Sequence, residues 1–139
     1  NPYYLVVRSA DNKRTETGPP GGTAYFLRNT NEKSSLPRSR NDGYYIIAAE
    51  ATAKNVLTVG AADITGHSEQ AYRITVSAYS GWGPTDDGRI KPDLLGVGLP
   101  MLSTLSSGTA AYGTMMGTSM ASANVTGSLM LLQELYAQQ

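Results

Sequence analysis

Gly117-Thr118-Ser119-Met120-Ala121-Ser122-Ala123-Asn124-Val125-Thr126-Gly127-Ser128-Leu129-Met130-Leu131-Leu132-Gln133-Glu134-Leu135-Tyr136 reads as a helix entered through a glycine. Its apolar residues Met120, Ala121, Ala123, Val125, Leu129, Met130, Leu131, Leu132, Leu135 and Tyr136 fall all round a helical wheel. A helix of that kind is expected at the centre of a protein rather than on its surface. Thr118 is the expected N-cap, which puts Ser119 in the first turn, where free N–H groups and the positive end of the helix dipole lie close to the hydroxyl. That is a suitable place for a nucleophile whose reaction passes through an oxyanion, although serines in such places more often do no more than start a helix. Gly127 interrupts the helix at a cost of about 1 kcal/mol relative to alanine, so close helix packing is expected there.

Working outward from the helix, the rest of the chain reads as short strands separated by turns. Tyr3–Ser9, Tyr44–Glu50, Asn55–Ala61, Ile74–Tyr79, Leu94–Val97 and Met101–Thr104 carry strand-forming patterns, with Val56-Leu57-Thr58-Val59 the clearest. Tyr25-Phe26-Leu27 is a further short candidate inside a stretch rich in Gly, Pro, Asn and Ser, and 81–93 is turn-rich. Seven of the 11 Lys and Arg residues lie between Arg8 and Arg40. They are scattered and lack interleaved aromatics, which fits a solvated loop better than a binding face.

The composition bounds the chemistry. The chain has 139 residues, 40% hydrophobic and 16% charged, which fits a folded domain and not a disordered one. Eleven basic residues balance 11 acidic ones, so no global field points to nucleic acid or an anionic membrane. No apolar run reaches the roughly 18 residues of a membrane span. Without cysteine there is no disulfide, no zinc-thiolate site and no thiol nucleophile. No metal site and no cofactor are expected. Gly96-Val97-Gly98 lacks the third glycine and the helix of a dinucleotide loop. Asp86-Asp87 reads as a solvated acidic turn, and the sequon Asn124-Val125-Thr126 falls inside the helix expected to be buried.

Four segments, taken in order, resemble one family. Gly117-Thr118-Ser119-Met120-Ala121 is identical to the nucleophile motif of the subtilisin-like serine peptidases. Asn55-Val56-Leu57-Thr58-Val59-Gly60-Ala61 resembles a strand of that family, Tyr79-Ser80-Gly81-Trp82-Gly83-Pro84-Thr85 its F-S-S-x-G-P-T segment, and Asp87-Gly88-Arg89-Ile90-Lys91-Pro92-Asp93 its D-G-R-I-K-P-D segment. Upstream, Ser9-Ala10-Asp11-Asn12 is similar to the family's S-A-G-N, whose Asn donates to the oxyanion. The resemblance implies an α/β fold with a mainly parallel sheet and a buried central helix that begins at the nucleophile. It makes Ser119 the nucleophile, Asn12 an oxyanion donor (without the motif, a turn asparagine is an equal reading), and Ser9, Ala10 and Asp11 substrate-binding residues.

The same resemblance implies that the chain, 1–139, is the C-terminal portion of a catalytic domain. The family's Asp and His motifs precede the strand that opens it. His67, the sole histidine, matches neither the motif nor its position and reads as a surface-loop residue. The expectation is therefore part of a serine endopeptidase, inactive alone, acting on peptide or protein substrates when joined by the missing N-terminal segment. The alternative is a catalytically inactive subtilase-like binding or assembly module. Apolar surface left where the missing part should pack makes homodimerisation or strand exchange an expectation as well. An extracellular or cell-envelope location is implied by the family alone. The sequence departs from the family pattern at three places: Asp11 stands in place of Gly, Ala123 in place of Pro, and Gly96-Val97-Gly98 in place of the usual A-P-G.

Overall fold

Val56, Leu57 and Val59 are β-branched or bulky residues of the kind that favour a pleated, half-buried surface, and they open the strand on which everything else is hung. A computed structural model describes residues 4–15, 30–33, 46–68 and 71–138. In chain order these form β1 (Val6–Ser9), a 3-10 turn (Ala49–Thr52), β2 (Val56–Ser68), β3 (Ala71–Val76), β4 (Leu94–Val97), β5 (Met101–Thr104), β6 (Tyr112–Met115) and α1 (Thr118–Ala137).

β2 is the axis of a four-stranded sheet. Its first residues pair in parallel with β1, from Val6 opposite Val56 to Ser9 opposite Val59. Its middle pairs in parallel with β4, from Val59 opposite Leu94 to Ala62 opposite Val97. Its last third pairs antiparallel with β3, from Ala62 opposite Val76 outward. Val59 is shared by β1 and β4, and Ala62 by β3 and β4, so β1 and β3 follow one another along one edge of β2 and β4 takes the other. The sheet is thus mixed: parallel where the expected core lies, with an antiparallel arm that the sequence reading does not anticipate. β5 and β6 form a separate antiparallel hairpin.

The core is small. Val59, Ala61 and Ala121 are fully buried, with Val7, Tyr79 and Val125 packed around them. α1 reaches this core by its first turns, and Gly96 makes the approach close. A Cβ at Gly96 would lie 2.6 Å from the Ala121 carbonyl oxygen and 2.9 Å from a Val125 methyl. Further along, Val125 and Leu129 line a cleft of about 400 Å³ with Ile64, Ile74, Leu94 and Leu95.

Three expectations are corrected here. Ala49–Thr52 is a 3-10 turn and not the tail of a strand: Ala51 N–H donates to the Ala48 carbonyl at 2.8 Å, and the buried Thr58 hydroxyl donates to the Ala51 carbonyl. The helix is not buried all round. Met130, Leu131, Leu132, Leu135 and Tyr136 are exposed, the last at 81%, because the sheet extends under only the first turns of a 20-residue helix. Gly127 is not a close-packing site, since an added Cβ would meet nothing within 4 Å. Tyr25-Phe26-Leu27, together with Tyr3, Tyr44 and Tyr45, lies outside the described residues.

Candidate active site

The first turn of α1 is built from Gly117. Its φ of +150° is awkward for any residue with a side chain, and it is the N-cap, with Thr118 the first helical residue. Thr118 is therefore not the cap that the sequence suggests. The capping group comes from the other end of the chain: the Asn12 side-chain oxygen Oδ1 accepts both the Thr118 N–H and the Thr118 hydroxyl, each at 2.9 Å. Thr118 is fully buried, so these bonds satisfy polar groups that water does not reach. Met120 and Ala121 N–H both donate to the Gly117 carbonyl at 3.1 Å. Among the described residues, the Ser119 N–H is the first-turn donor without an acceptor. Ser119 itself is exposed.

Two donors converging on Oδ1 also settle which way the Asn12 amide points. Its NH2 group is turned away from Thr118 and lies against Gly117, where a Cβ would sit 3.0 Å from Nδ2. Asn12 thus has its acceptor engaged and its donor at the mouth of the helix that carries Ser119.

The Asn12 loop is held from several directions. Ala10, buried, donates its N–H to the Val59 carbonyl at 2.9 Å and accepts the Ala48 N–H at 3.2 Å. Gly81 N–H donates to the Asp11 carbonyl at 2.8 Å, and the Arg14 guanidinium lies 3.8 Å from the centre of the Trp82 ring. Asp11, at φ +85°, is the one described non-glycine residue with positive φ, and its Oδ1 accepts the Asn12 N–H at 2.7 Å. Gly98 fixes the helix start from the sheet side. Its N–H donates to the Ala62 carbonyl at 3.1 Å, while its carbonyl accepts the Gly117 N–H at 3.2 Å and the Tyr79 hydroxyl at 2.7 Å.

Of the predicted substrate-binding residues, Ser9 ends β1 opposite Val59 and is half-buried, Ala10 is fully buried with both backbone groups engaged, and Asp11 is half-buried beside Asn12. His67 belongs to β2 near its far end. It lies five residues beyond Ala62, or roughly 16 Å along the strand from the residue that anchors Gly98. The strand therefore carries it away from the helix start. Among the described residues no group of three His, Cys, Asp or Glu side chains is placed to hold a metal ion, and no helix is long and apolar enough to cross a membrane.

The 87–93 segment buttresses the sheet from outside this site. Asp87 accepts from Arg89 and from the Thr85 hydroxyl, which hold its carboxyl down at a pKa of about 2. Arg89 ties this turn to the Thr52 carbonyl at 2.7 Å. Lys91, almost fully buried, donates to the Val56 carbonyl at 2.7 Å and to Asp93 at 2.6 Å, and the same Asp93 oxygen accepts the Thr58 N–H at 2.7 Å. Partial burial alone would raise the Asp93 pKa, but the bonds from Lys91 and Thr58 more than offset it, so the carboxyl stays below its ordinary range.

A family model described as the subtilase family matches residues 3–138. The chain belongs to the subtilase family. Among its relatives, a C5a peptidase of Streptococcus pyogenes serotype M3 is 31% identical over 113 residues, 81% of this chain and 9% of the relative. Another Streptococcus pyogenes C5a peptidase is 41% identical over 64 residues, 46% of this chain and 5% of the relative. The serine protease/ABC transporter B family protein tagA of Dictyostelium discoideum is 38% identical over 76 residues, 43% of this chain and 4% of the relative. The matched stretches amount to 9% or less of these relatives' own length. This places the subtilase chain in a serine peptidase family. It accords with the α/β character of the parallel β1–β2–β4 core and of α1.

The sequence singles out Asn12 and Ser119 but gives no sign of the Thr118 clamp, the Asp11 bond to Asn12 or the Tyr79 bond to Gly98. The tyrosine at 79, where the family pattern has phenylalanine, is the one local signal that a hydroxyl sits there.

Proposed function

We propose that this chain supplies the nucleophile and the oxyanion donors of a serine endopeptidase. Ser119 Oγ attacks the scissile carbonyl carbon, its proton passes to a histidine base, and the amine leaves as the acyl-enzyme forms. Water then hydrolyses the ester. The Asn12 amide N–H and the Ser119 backbone N–H hold the oxyanion in both steps. The observation that carries this reading is the pair of hydrogen bonds that Asn12 Oδ1 accepts from Thr118. It leaves an amide donor and a free helix N–H together at the start of the helix that bears the hydroxyl.

The base and its orienting acid belong to residues outside 1–139, in the N-terminal portion of the same domain. Support comes from the position of His67 along β2 and from the exposed apolar end of α1, a surface suited to packing against further structure. On this reading the chain is inactive alone and completes a peptide-binding, peptide-cleaving domain when joined to that portion. Ser9, Ala10 and Asp11 form one wall of the substrate site, and the location is extracellular or at the cell envelope, as the family membership suggests.

A fluorophosphonate probe applied to the full-length gene product tests the assignment. Labelling should map to Ser119 and disappear in Ser119→Ala. A preparation shown by intact mass to contain only residues 1–139 should hydrolyse no peptide substrate. Labelling that survives Ser119→Ala overturns the nucleophile, and turnover by the chain alone overturns the external base.

A further inference from the structure

Asp11 occupies a position that the family pattern gives to glycine, and it does so with φ at +85°, where a side chain is disfavoured. Its surroundings leave the backbone no room to relax. Its carbonyl accepts the Gly81 N–H at 2.8 Å, and Gly81 lies so close that a Cβ there would sit 2.5 Å from the Ala10 carbonyl oxygen. A non-glycine residue kept at such a site invites a search for what its side chain does. Here Oδ1 accepts the Asn12 N–H at 2.7 Å, a charge-assisted bond.

We infer that Asp11 is a positioning residue, its carboxylate fixing the Asn12 main chain so that the Asn12 amide keeps its oxygen on Thr118 and its NH2 toward the substrate carbonyl. This rests on the reading of Asn12 as an oxyanion donor. Asn12 is itself exposed and spans two anchors: its backbone N–H on Asp11 and its side-chain oxygen on Thr118. Between them only the side-chain torsions of Asn12 remain to be set. Glycine at position 11 would meet the backbone requirement more easily but offers no acceptor. The backbone role and the carboxylate role are therefore separable by substitution.

Asp11→Gly and Asp11→Asn in the full-length gene product make the separation. Asparagine tolerates the left-handed conformation and keeps an oxygen for the Asn12 N–H. Asp11→Gly should lower kcat about tenfold, the scale of one lost hydrogen bond to a charged group. It should also speed hydrogen exchange at the Thr118 N–H, which reads the grip of Asn12 on the helix. Asp11→Asn, which keeps an acceptor for the Asn12 N–H, should recover most of the lost kcat and of the Thr118 protection relative to Asp11→Gly. Wild-type or higher kcat with unchanged Thr118 exchange in Asp11→Gly overturns the inference, as does an Asp11→Asn as impaired as the glycine variant. Asn12→Ala keeps the two levels apart. If that variant loses no kcat, the oxyanion reading is the one that fails, and Thr118 exchange in the two Asp11 variants decides the positioning role by itself.

Discussion

Replacing Asn12 by Ala and by Asp distinguishes its two faces. In Asn12→Ala, the Thr118 N–H and hydroxyl both lose their acceptor. The bonds are worth about 1 kcal/mol each, and a buried hydroxyl left unsatisfied adds a further cost of roughly 1 kcal/mol or more, so about 3 kcal/mol is expected in all. In Asn12→Asp a carboxylate oxygen takes over both bonds, and its charge faces the positive end of α1, a gain of about 0.3–1 kcal/mol. Repulsion from the neighbouring Asp11 works against that gain. Asn12→Asp should therefore unfold within about 1 kcal/mol of the wild type. Trp82, the one tryptophan, stacks with Arg14 two residues beyond Asn12 and is a built-in probe. Urea unfolding followed by its fluorescence should show a midpoint about 1–2 M lower for Asn12→Ala and nearly unchanged for Asn12→Asp. Both variants lose the amide donor, so both should lose kcat. In subtilisin, the reference case for an oxyanion donor, that loss is roughly 10²–10³, a magnitude taken over from the family and not obtained from this chain. Equal destabilisation of the two variants would refute the capping account, and an Asn12→Asp that turns over like the wild type would refute the donor.

Gly96→Val should cost about 2–3 kcal/mol, read as a lower midpoint in thermal unfolding, because its side chain must push α1 off β4 at Ala121 and Val125. Gly127→Ala should raise stability by about 1 kcal/mol, since its Cβ meets open space and alanine is the better helix former; a loss of stability would mean that something packs there. Asp93 has a depressed pKa when folded, so its contribution is present above the ordinary value of 3.8 and is lost as pH falls through the folded value. Urea midpoints should accordingly fall as the pH is lowered below the ordinary value of 3.8, and less steeply in Asp93→Asn. At neutral pH that variant should already be destabilised by about 2 kcal/mol, because Lys91 stays buried with one partner fewer.

What the sequence makes legible is what depends on local pattern. The α1 segment, β4, β5 and the Val56-Leu57-Thr58-Val59 heart of β2 can be read from residue type and period, and the family motifs single out Ser119 and Asn12. β6 escapes notice because Tyr112-Gly113-Thr114-Met115 is short, contains glycine and is defined by its pairing to β5. The antiparallel arm of β2 is missed for a similar reason: 62–68 is held as strand by β3, against its own polar composition. The 3-10 turn at Ala49–Thr52 looks like strand because Tyr44-Tyr45-Ile46-Ile47 precedes it, while the bond that shapes it comes from Thr58. Within the described residues the sheet reaches beneath only the first turns of α1, which a wheel does not reveal because it shows which side chains are apolar and not what lies against them. The Thr118 clamp is invisible for the plainest reason, since nothing at 118 refers to residue 12.

That separation in sequence also acts in time. Asn12 and Thr118 are 106 residues apart, and a ribosome adds roughly 5–20 residues per second. The amide must wait about 5–20 s after it is made before its partner exists, and longer before Thr118 leaves the exit tunnel. Throughout that interval the nascent chain holds Asn12 without either Thr118 or Ser119. On the proposal that Ser119 is the nucleophile, the oxyanion donor is made first and the attacking hydroxyl last.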